Sequence, residues 1–253
     1  MELPAFLSDP ETLFIFAVFL FAGFVKGIVG LGLPTLSLGI LATVIDLPSA
    51  MAILIIPSFS TNVWQGFSGP GTLTLLRRLA PMFICAVVMV WVGVAILVRV
   101  DTKWLTMLLG TLIAIYGIAG LTSPKMPKVG HRERWLGPLV GSINGTITGL
   151  TGAAIVPGVF YLQSLDFDRN AFVKAIGILF SISVLALFTA LWFRGRLSID
   201  LGVISVLACI PSFIGMAIGE QVRKRLSEKV FKRVFFVFLI LLGVYVFVRS
   251  VTG

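Results

Sequence analysis

Ten apolar runs, separated by short polar or charged stretches, follow one another along the chain. A helix that crosses the hydrocarbon core of a bilayer needs about 20 apolar residues. Most of the runs approach that length and predict transmembrane helices. Three runs are short for a full crossing, at 34–45, 135–150 and 153–165, so we interpret them as limbs of broken or re-entrant helices. The runs cover approximately residues 12–31, 34–45, 49–67, 77–98, 104–122, 135–150, 153–165, 171–193, 199–219 and 230–249.

The composition indicates a membrane protein. Hydrophobic residues make up 58% of the chain and charged residues 12%, against about 25% charged residues in a typical soluble domain. The net charge of +9 could indicate a nucleic-acid partner, but the basic residues fall in short clusters between the apolar runs. Loop charges of multi-pass membrane proteins are distributed in this way. We therefore expect the lipid bilayer, and no nucleic acid, as a partner.

Two glycine-rich segments, 23–34 and 141–157, interrupt apolar stretches and resemble each other. Glycines pair between them at offsets of 118 to 120 residues, and the offset reaches 122 where 93–96 matches 215–218. An offset that drifts by single insertions indicates a diverged internal duplication; chance matching of small residues is the alternative. Matching breaks in the two halves of a membrane protein are typical of a transport site.

We therefore predict an all-α polytopic membrane protein made of two repeats. Each repeat, at 1–122 and 135–253, contains a broken or re-entrant helix pair plus three transmembrane helices. A cytoplasmic linker at 123–134 joins them.

The basic residues outside the runs predict the orientation. If each broken pair returns to the face it entered by, or crosses twice, 13 of the 18 loop Lys and Arg residues lie on one face and 5 on the other. A single kinked crossing per pair would give 9 and 9, with no orientation signal. The positive-inside rule places the richer face in the cytoplasm and both termini outside. Each half then crosses an odd number of times, so the two repeats are inverted, the usual architecture for alternating access.

Lys26 and Lys174 are the ionisable residues placed well inside the runs, and all eleven carboxylates lie outside the runs or at their ends. A charge at membrane depth is costly and marks a functional candidate, so we predict a site for an anion. Lys26 lies beside the first break; its alternative role is to neutralise backbone carbonyl groups freed there. Lys174 is only a few residues into its run, and we expect it to snorkel to the cytoplasmic face.

The residues around the two breaks supply further candidate ligands. A half-helix that begins after a break presents unpaired, partly positive N–H groups, and small residues let a ligand approach them. A polar stripe on the runs that follow adds groups that need partners when buried. Close helix packing and interhelical hydrogen bonds are the alternative roles. The predicted substrate-binding residues are Lys26, Gly30, Leu31, Gly32, Leu33, Thr35, Ser60, Asn62, Trp64, Gln65, Asn144, Gly149, Thr151, Gly152, Ala153, Ala154, Ser181 and Ser183.

Other chemistry is not indicated. Cys85 and Cys209 lie within apolar runs, as inert core cysteines do, and the single histidine, His131, lies in the linker, where we expect a solvated side chain. The serines and threonines at depth have no nearby histidine or carboxylate to activate them. We therefore expect no enzymatic activity, no cofactor and no metal.

Each glycine-rich break is followed by a proline. The two motifs are Gly27-x-x-Gly30-Leu31-Gly32-Leu33-Pro34 and Gly145-x-x-x-Gly149-Leu150-Thr151-Gly152-Ala153-Ala154-x-x-Pro157. In these motifs, and over nearly its whole length, the chain resembles the TauE/SafE-type family of sulfite exporters and toluene-sulfonate uptake permeases. It departs from the family where the usual glycine pair is Leu33-Pro34 in the first copy and Ala153-Ala154 in the second. The resemblance implies a permease of the cell membrane, the bacterial inner membrane, for small organosulfonates or related sulfur anions such as sulfite.

These patterns together predict a secondary carrier, in which two inverted halves rock about a midplane anion site. An anion-selective channel with the same lining, or a carrier of another small organic acid, is the alternative. The apolar runs hold no carboxylate deep enough to relay protons, so coupling to sodium, coupling to a proton and uniport all stay open. The direction of transport does not follow from the resemblance.

Overall fold

The computed structural model describes residues 9–68, 70–122, 127, 129–224 and 228–252. Over these residues the chain forms ten α-helices and one 3₁₀ turn, Gly130–Arg132. The helices are α1 (Pro10–Val29), α2 (Leu33–Leu41), α3 (Leu47–Phe67), α4 (Thr72–Leu97), α5 (Thr102–Thr122), α6 (Glu133–Thr151), α7 (Gly158–Gln163), α8 (Arg169–Phe193), α9 (Ile199–Arg223) and α10 (Glu228–Thr252). Seven of them are long and apolar enough to cross a membrane: α1, α3, α4, α5, α8, α9 and α10. The prediction of an all-helical, multi-pass membrane protein is confirmed.

The order of helices repeats along the chain. A long helix, a short helix and three long helices (α1 to α5) are followed by the same order in α6 to α10. The short helices have nine and six residues, too few for a crossing. The helix at the run 135–150 is longer than the apolar pattern predicts. α6 covers 19 residues and begins with a polar turn. Part of the predicted linker, and the side chain of His131, lie outside the described residues.

α1 and α2 meet at the first glycine break. Asp9 caps the start of α1 by accepting a hydrogen bond from the backbone N–H of Thr12 (3.1 Å). Gly30 ends the helix at φ +83°, and Gly32 precedes α2 at φ +109°. Both values lie in the left-handed region that glycine adopts without steric cost. Pro34 then fits the first turn of α2, where its missing N–H has no intrahelical acceptor.

The contacts of α1 and α2 with α10 show that the two helices form a hairpin. Along α1 the contacts move toward the start of α10, and from Gly32 along α2 they move toward its end. The pairs are Phe21 with Phe238, Phe24 with Phe231, Gly32 with Phe235 and Gly39 with Leu242. α2 therefore returns toward the face at which α1 begins.

α6 and α7 form a second hairpin at the second break. Gly152 ends α6 at φ +75°. Gly158, the first residue of α7, lies beside Asn144 in the middle of α6. After α7, the carbonyl group of Ser164 accepts a hydrogen bond from the backbone N–H of Val129 (3.4 Å). α7 therefore returns toward the face at which α6 begins.

Glycines spaced four residues apart let two helix pairs pack backbone to backbone. A Cβ atom added at Gly145 of α6 would lie 2.2 Å from the carbonyl oxygen of Ala86 in α4. A Cβ atom added at Gly23 of α1 would lie 2.2 Å from the carbonyl oxygen of Ser212 in α9. Small residues at this spacing are a common device of membrane helix packing. These glycines serve close packing, whereas the glycines with positive φ form the turns.

α3 and α8 cross in antiparallel directions in the middle of the molecule. A Cβ atom at Gly177 of α8 would lie 2.6 Å from the backbone nitrogen of Gly66 in α3, and Lys174 bonds the carbonyl group of Pro70. Residue numbers therefore decrease along α8 in the direction in which they increase along α3. The same register places Asn62 of α3 at the depth of residue 181 in α8, so the polar stripes of the two helices lie at one level.

Candidate functional site

Lys26 lies in the last turn of α1, one turn before Gly30. Its side chain is 3% exposed, and among the described residues it is the charged side chain that is buried. Its ammonium group donates hydrogen bonds to Thr61 Oγ1 at 3.0 Å and Asn62 Oδ1 at 2.5 Å, both on α3. Lys26 thus bonds side-chain oxygens of a neighbouring helix rather than the carbonyl groups at the break.

α3 holds these two acceptors in position. Asn62 Nδ2 donates to Ser58 Oγ at 3.0 Å, and this bond turns Oδ1 of the same amide toward Lys26. Thr61 Oγ1 donates to the carbonyl oxygen of Pro57 at 2.7 Å, so the lone pairs of the hydroxyl oxygen are left for the ammonium group. The acceptors are therefore oriented before any ligand arrives.

The proline inside α3 is supported by α9. Pro57 has no N–H to donate to the carbonyl group of Ile53, four residues earlier. Ser205 Oγ of α9 donates to that carbonyl oxygen at 2.8 Å and accepts from the backbone N–H of Ile56 at 3.1 Å. This contact fixes the helix turn that precedes the acceptors of Lys26.

The charge of the buried ammonium group is not balanced by its partners. An ammonium group has three donors, and two of them meet neutral oxygens. Burial of a charge is costly unless an opposite charge or further hydrogen bonds compensate it. A negatively charged ligand within reach of the third donor would offset this cost, whereas a cation would add to it. The chemistry of this site suits an anion.

Asn144 lies in the middle of α6, eight residues before Gly152, and its side chain is buried. Its Oδ1 atom accepts a hydrogen bond from the backbone N–H of Gly158 at 3.0 Å. This bond fixes the amide so that Nδ2 points away from Gly158. Asn144 Nδ2 is buried and has no hydrogen-bond partner. Because an amide NH₂ group can only donate, its missing partner is an acceptor.

Ser183 of α8 lies one helix turn after Leu179. A Cβ atom added at Gly158 would contact both Leu179 and the Oδ1 atom of Asn144, so this part of α8 faces the hairpin formed by α6 and α7. Ser183 Oγ is also buried without a hydrogen-bond partner. α6 and α8 thus each carry a buried polar group whose partner is missing.

Thr35 of α2 completes a set of three. Within the described residues, the buried side-chain nitrogen and oxygen atoms that lack a hydrogen-bond partner are Thr35 Oγ1, Asn144 Nδ2 and Ser183 Oγ. A buried polar group left without a partner costs about 1–3 kcal/mol. All three residues are among the ligands predicted from the sequence. Each is a place where an acceptor atom would stabilise the protein.

Four other predicted ligands already have partners in neighbouring backbone. Three of them bond the carbonyl group four residues earlier in the same helix, and one bonds the facing helix. The hydrogen bonds are Ser60 to Ile56 (2.7 Å), Ser181 to Gly177 (2.7 Å), Thr151 to Ile147 (2.8 Å) and Gln65 to Val173 (3.0 Å). The alternative role of local and interhelical bonding accounts for these groups.

The remaining predicted ligands are distributed over three environments. Trp64 is 67% exposed on the surface of α3, and Gly149 packs against α4. At the first break Gly30 and Leu31 are half-buried, while Gly32 and Leu33 are buried; at the second break Gly152, Ala153 and Ala154 are all buried. Of the predicted ligands at the two breaks, Gly30 and Leu31 are therefore partly exposed, and those of the second break are buried.

A cavity of about 340 Å³ opens at the first break. Val29, Gly30 and Leu31 line it together with polar and basic side chains from four other parts of the chain, Gln163, Arg169, Arg223 and Lys232. In the sequence these basic residues indicate only the orientation of the chain, because each lies near the end of a run. Their common feature, a place at the end of a long helix on the basic-rich face, is visible in the sequence once the helix order is known.

No curated protein and no solved structure matches the chain. The family model described as sulfite exporter TauE/SafE matches residues 15–246. This range includes both glycine-rich breaks, Lys26 and Asn144. A match over most of the chain confirms the family predicted from the motifs, a family of transporters and not of enzymes. The chain belongs to the TauE/SafE sulfite exporter family of multi-pass membrane proteins.

Proposed function

We propose that the protein is a secondary carrier of small sulfur anions, sulfite or small organosulfonates, which bind near the membrane midplane between two inverted halves. The observation that carries this proposal is the buried ammonium group of Lys26, whose two partners are neutral. A charge held at membrane depth is a functional group by default. Membership of the sulfite exporter family supports a small anion as the substrate.

The directions of the helices support the inversion of the two halves. α1 runs antiparallel to α10, and α10 runs antiparallel to α5, so α1 and α5 are parallel. α5 turns back from α4, and α6 runs parallel to α4 because their contacts advance together. These contacts are Gly141 with Met82, Gly145 with Ala86 and Gly149 with Val90. The first hairpin and the second hairpin therefore enter from opposite faces.

The pattern of helix contacts supports the same relation. If each helix of α1–α5 is exchanged with the helix at the same place in α6–α10, the α1–α9 contact becomes the α6–α4 contact. Both contacts are extensive. The α3–α8 and α5–α10 contacts are converted into themselves. A two-fold axis in the membrane plane, as in carriers with inverted repeats, accounts for all four. The halves are 1–122 and 135–253, joined by the linker 123–134.

The anion site consists of donors contributed by both halves. Lys26 belongs to the first half and Asn144 and Ser183 to the second. Each of these groups can donate to an oxygen atom, and the two second-half groups are unpartnered. The three oxygens of a sulfonate or of sulfite can accept several such bonds at once. A site of this composition selects oxyanions over cations.

The orientation follows the charge count. The basic-rich face is cytoplasmic, and both ends of the chain lie outside. The contacts between α1 and α10 support a common face for the two ends, because α1 begins at the face where α10 ends.

The test is a counterflow experiment with purified protein in proteoliposomes. Uptake of labelled sulfite or a labelled small sulfonate should saturate and should be stimulated by the unlabelled anion inside, with and without a sodium or proton gradient that reveals coupling. Uptake that is neither saturable nor stimulated would indicate a channel. Counterflow of carboxylates without counterflow of sulfur anions would assign the carrier to another class of organic acid.

A further inference from the structure

The cavity at the first break is lined by residues of six helices. Its walls come from the end of α1, the end of α5, α7, the start of α8, the end of α9 and the start of α10. Gly30 also lines it, and a Cβ added at Gly30 would have open space around it. Lys26 lies four residues earlier, about 6 Å along the helix axis. The cavity thus lies within one helix turn of the backbone of Lys26.

The charges that line this cavity are all positive. Arg169, Arg223 and Lys232 contribute them, and Gln163 adds an amide; no carboxylate is among the described residues that form the wall. Arg169 and Lys232 also interact with other groups. Low-dielectric walls that carry one sign of charge concentrate ions of the opposite sign.

A cavity on the opposite face of the protein provides a comparison. It has a volume of about 490 Å³ and is lined by two carboxylates and two basic groups, Asp46, Asp101, Lys103 and Arg249. Its formal charges cancel, and none of its lining residues belongs to the second break. The two cavities therefore differ both in charge and in access to a hairpin tip.

We propose that the cavity at the first break is a second anion-binding site, a vestibule in which Arg223, Lys232, Arg169 and Gln163 hold a small oxyanion before it reaches Lys26. A planar guanidinium group can bind two oxygens of a sulfonate or sulfite at once. The half-buried Gly30 and Leu31 separate this vestibule from the deeper site. This inference rests on the proposed function for the identity of the ligand, but the charge of the vestibule is testable without transport.

The first test measures the charge preference of the vestibule directly. Leu31→Cys, or Ala119→Cys on another wall, is introduced after Cys85 and Cys209 are replaced by alanine. Each reporter thiol is then treated with a sulfonate-bearing and with a quaternary-ammonium thiosulfonate reagent of similar size. The ratio of the reaction rate of the anionic reagent to that of the cationic reagent should be higher at the reporter thiol than for a small thiol in solution. Arg223→Gln with Lys232→Gln should lower that ratio about tenfold, and 1 M salt should do the same in the parent.

A ratio equal to that of the free thiol, and unchanged by the double substitution at both reporters, would overturn the vestibule. Arg249→Gln, in the cavity of the opposite face, is the matched control and should leave the ratio unchanged. An equal effect of this control would mean that the net charge of the protein, rather than the vestibule, attracts the reagent.

The second test measures transport from each face. In proteoliposomes of known orientation, the double substitution should raise the half-saturating concentration of the sulfonate on the vestibule side about threefold to tenfold. The maximal rate, and the half-saturating concentration on the opposite side, should stay unchanged. If the parent protein itself shows no counterflow of sulfur anions, the proposed function fails, and the labelling ratio still decides whether the vestibule binds anions. If the parent transports and the variant has the same half-saturation on both sides, the vestibule inference fails alone.

Discussion

Replacement of Lys26 by methionine removes the buried charge while keeping an unbranched apolar stem of similar length. The stem of Lys26 is enclosed by the protein, so a smaller residue would also open a cavity and confuse the result. Methionine fills most of the same space. The substitution therefore separates the charge from the packing.

The structure sets the expected size of the stability change. Two hydrogen bonds from a charged donor are lost, worth about 1.5–3 kcal/mol each. In return, the cost of holding a lysine at membrane depth, about 2.5–3.5 kcal/mol, is relieved. The free energy of unfolding should therefore fall by no more than about 3.5 kcal/mol. Anion binding should suffer more, because loss of one member of a buried charge pair costs about 2–5 kcal/mol, which is about 30-fold or more in affinity.

The assay combines counterflow with thermal unfolding of the detergent-purified protein. Lys26→Met should abolish uptake of labelled sulfonate at concentrations that saturate the parent, with a monodisperse protein and a modest change in melting temperature. Lys174→Met is the matched control, since Lys174 bonds a carbonyl group near the helix ends, and its effect on uptake should be milder. Normal transport by Lys26→Met would refute the reasoning and leave Lys26 as a structural residue.

Two further predictions follow from individual contacts. Ser183→Ala removes an unpartnered hydroxyl group, so the melting temperature should hold or rise while sulfonate affinity, measured by titration calorimetry, falls severalfold; a lower melting temperature with normal affinity would show that the hydroxyl has a structural partner. Gly145→Ala should lower the melting temperature by the equivalent of about 1–3 kcal/mol, because its Cβ would lie 2.2 Å from a carbonyl oxygen. Gly202→Ala, which meets open space in α9, should not destabilise, and equal melting temperatures for the two variants would contradict this packing.

The hairpins were accessible to sequence reasoning because glycine and proline mark them. An apolar run that is interrupted by Gly30 and Gly32 and then resumes for nine residues cannot be one straight crossing. The second hairpin was harder to delimit, since its first limb begins with the charged residues of the first turn of α6. Hydrophobicity alone therefore placed the start of that helix too late and made the limb too short.

The two roles of the glycines, helix packing and turn formation, are harder to separate in the sequence. Packing glycines such as Gly141 and Gly145 and turn glycines such as Gly152 are adjacent in one motif, and both roles require the absence of a Cβ. Spacing distinguishes them: the packing glycines recur every four residues on one helix face, as membrane helix contacts require. Which polar groups lack partners depends on side-chain directions, so Asn144 and Ser183 could be proposed from the sequence but not separated from Ser60 or Ser181.

The two copies of the hairpin differ in charge, and this difference bears on the substrate. A lysine in both copies would bury two like charges near one axis, an arrangement suited to a dianion. Here Thr148 lies four residues before Gly152, as Lys26 lies four residues before Gly30, so the site combines one positive charge with neutral donors. One charge spread over three oxygens, as in a sulfonate or in singly protonated sulfite, matches that set, whereas sulfate would leave one negative charge unbalanced in a medium of low dielectric. We therefore expect small sulfonates to compete with labelled substrate at concentrations at least about tenfold lower than sulfate. Equal competition by sulfate would mean that charge count does not govern selection at this site.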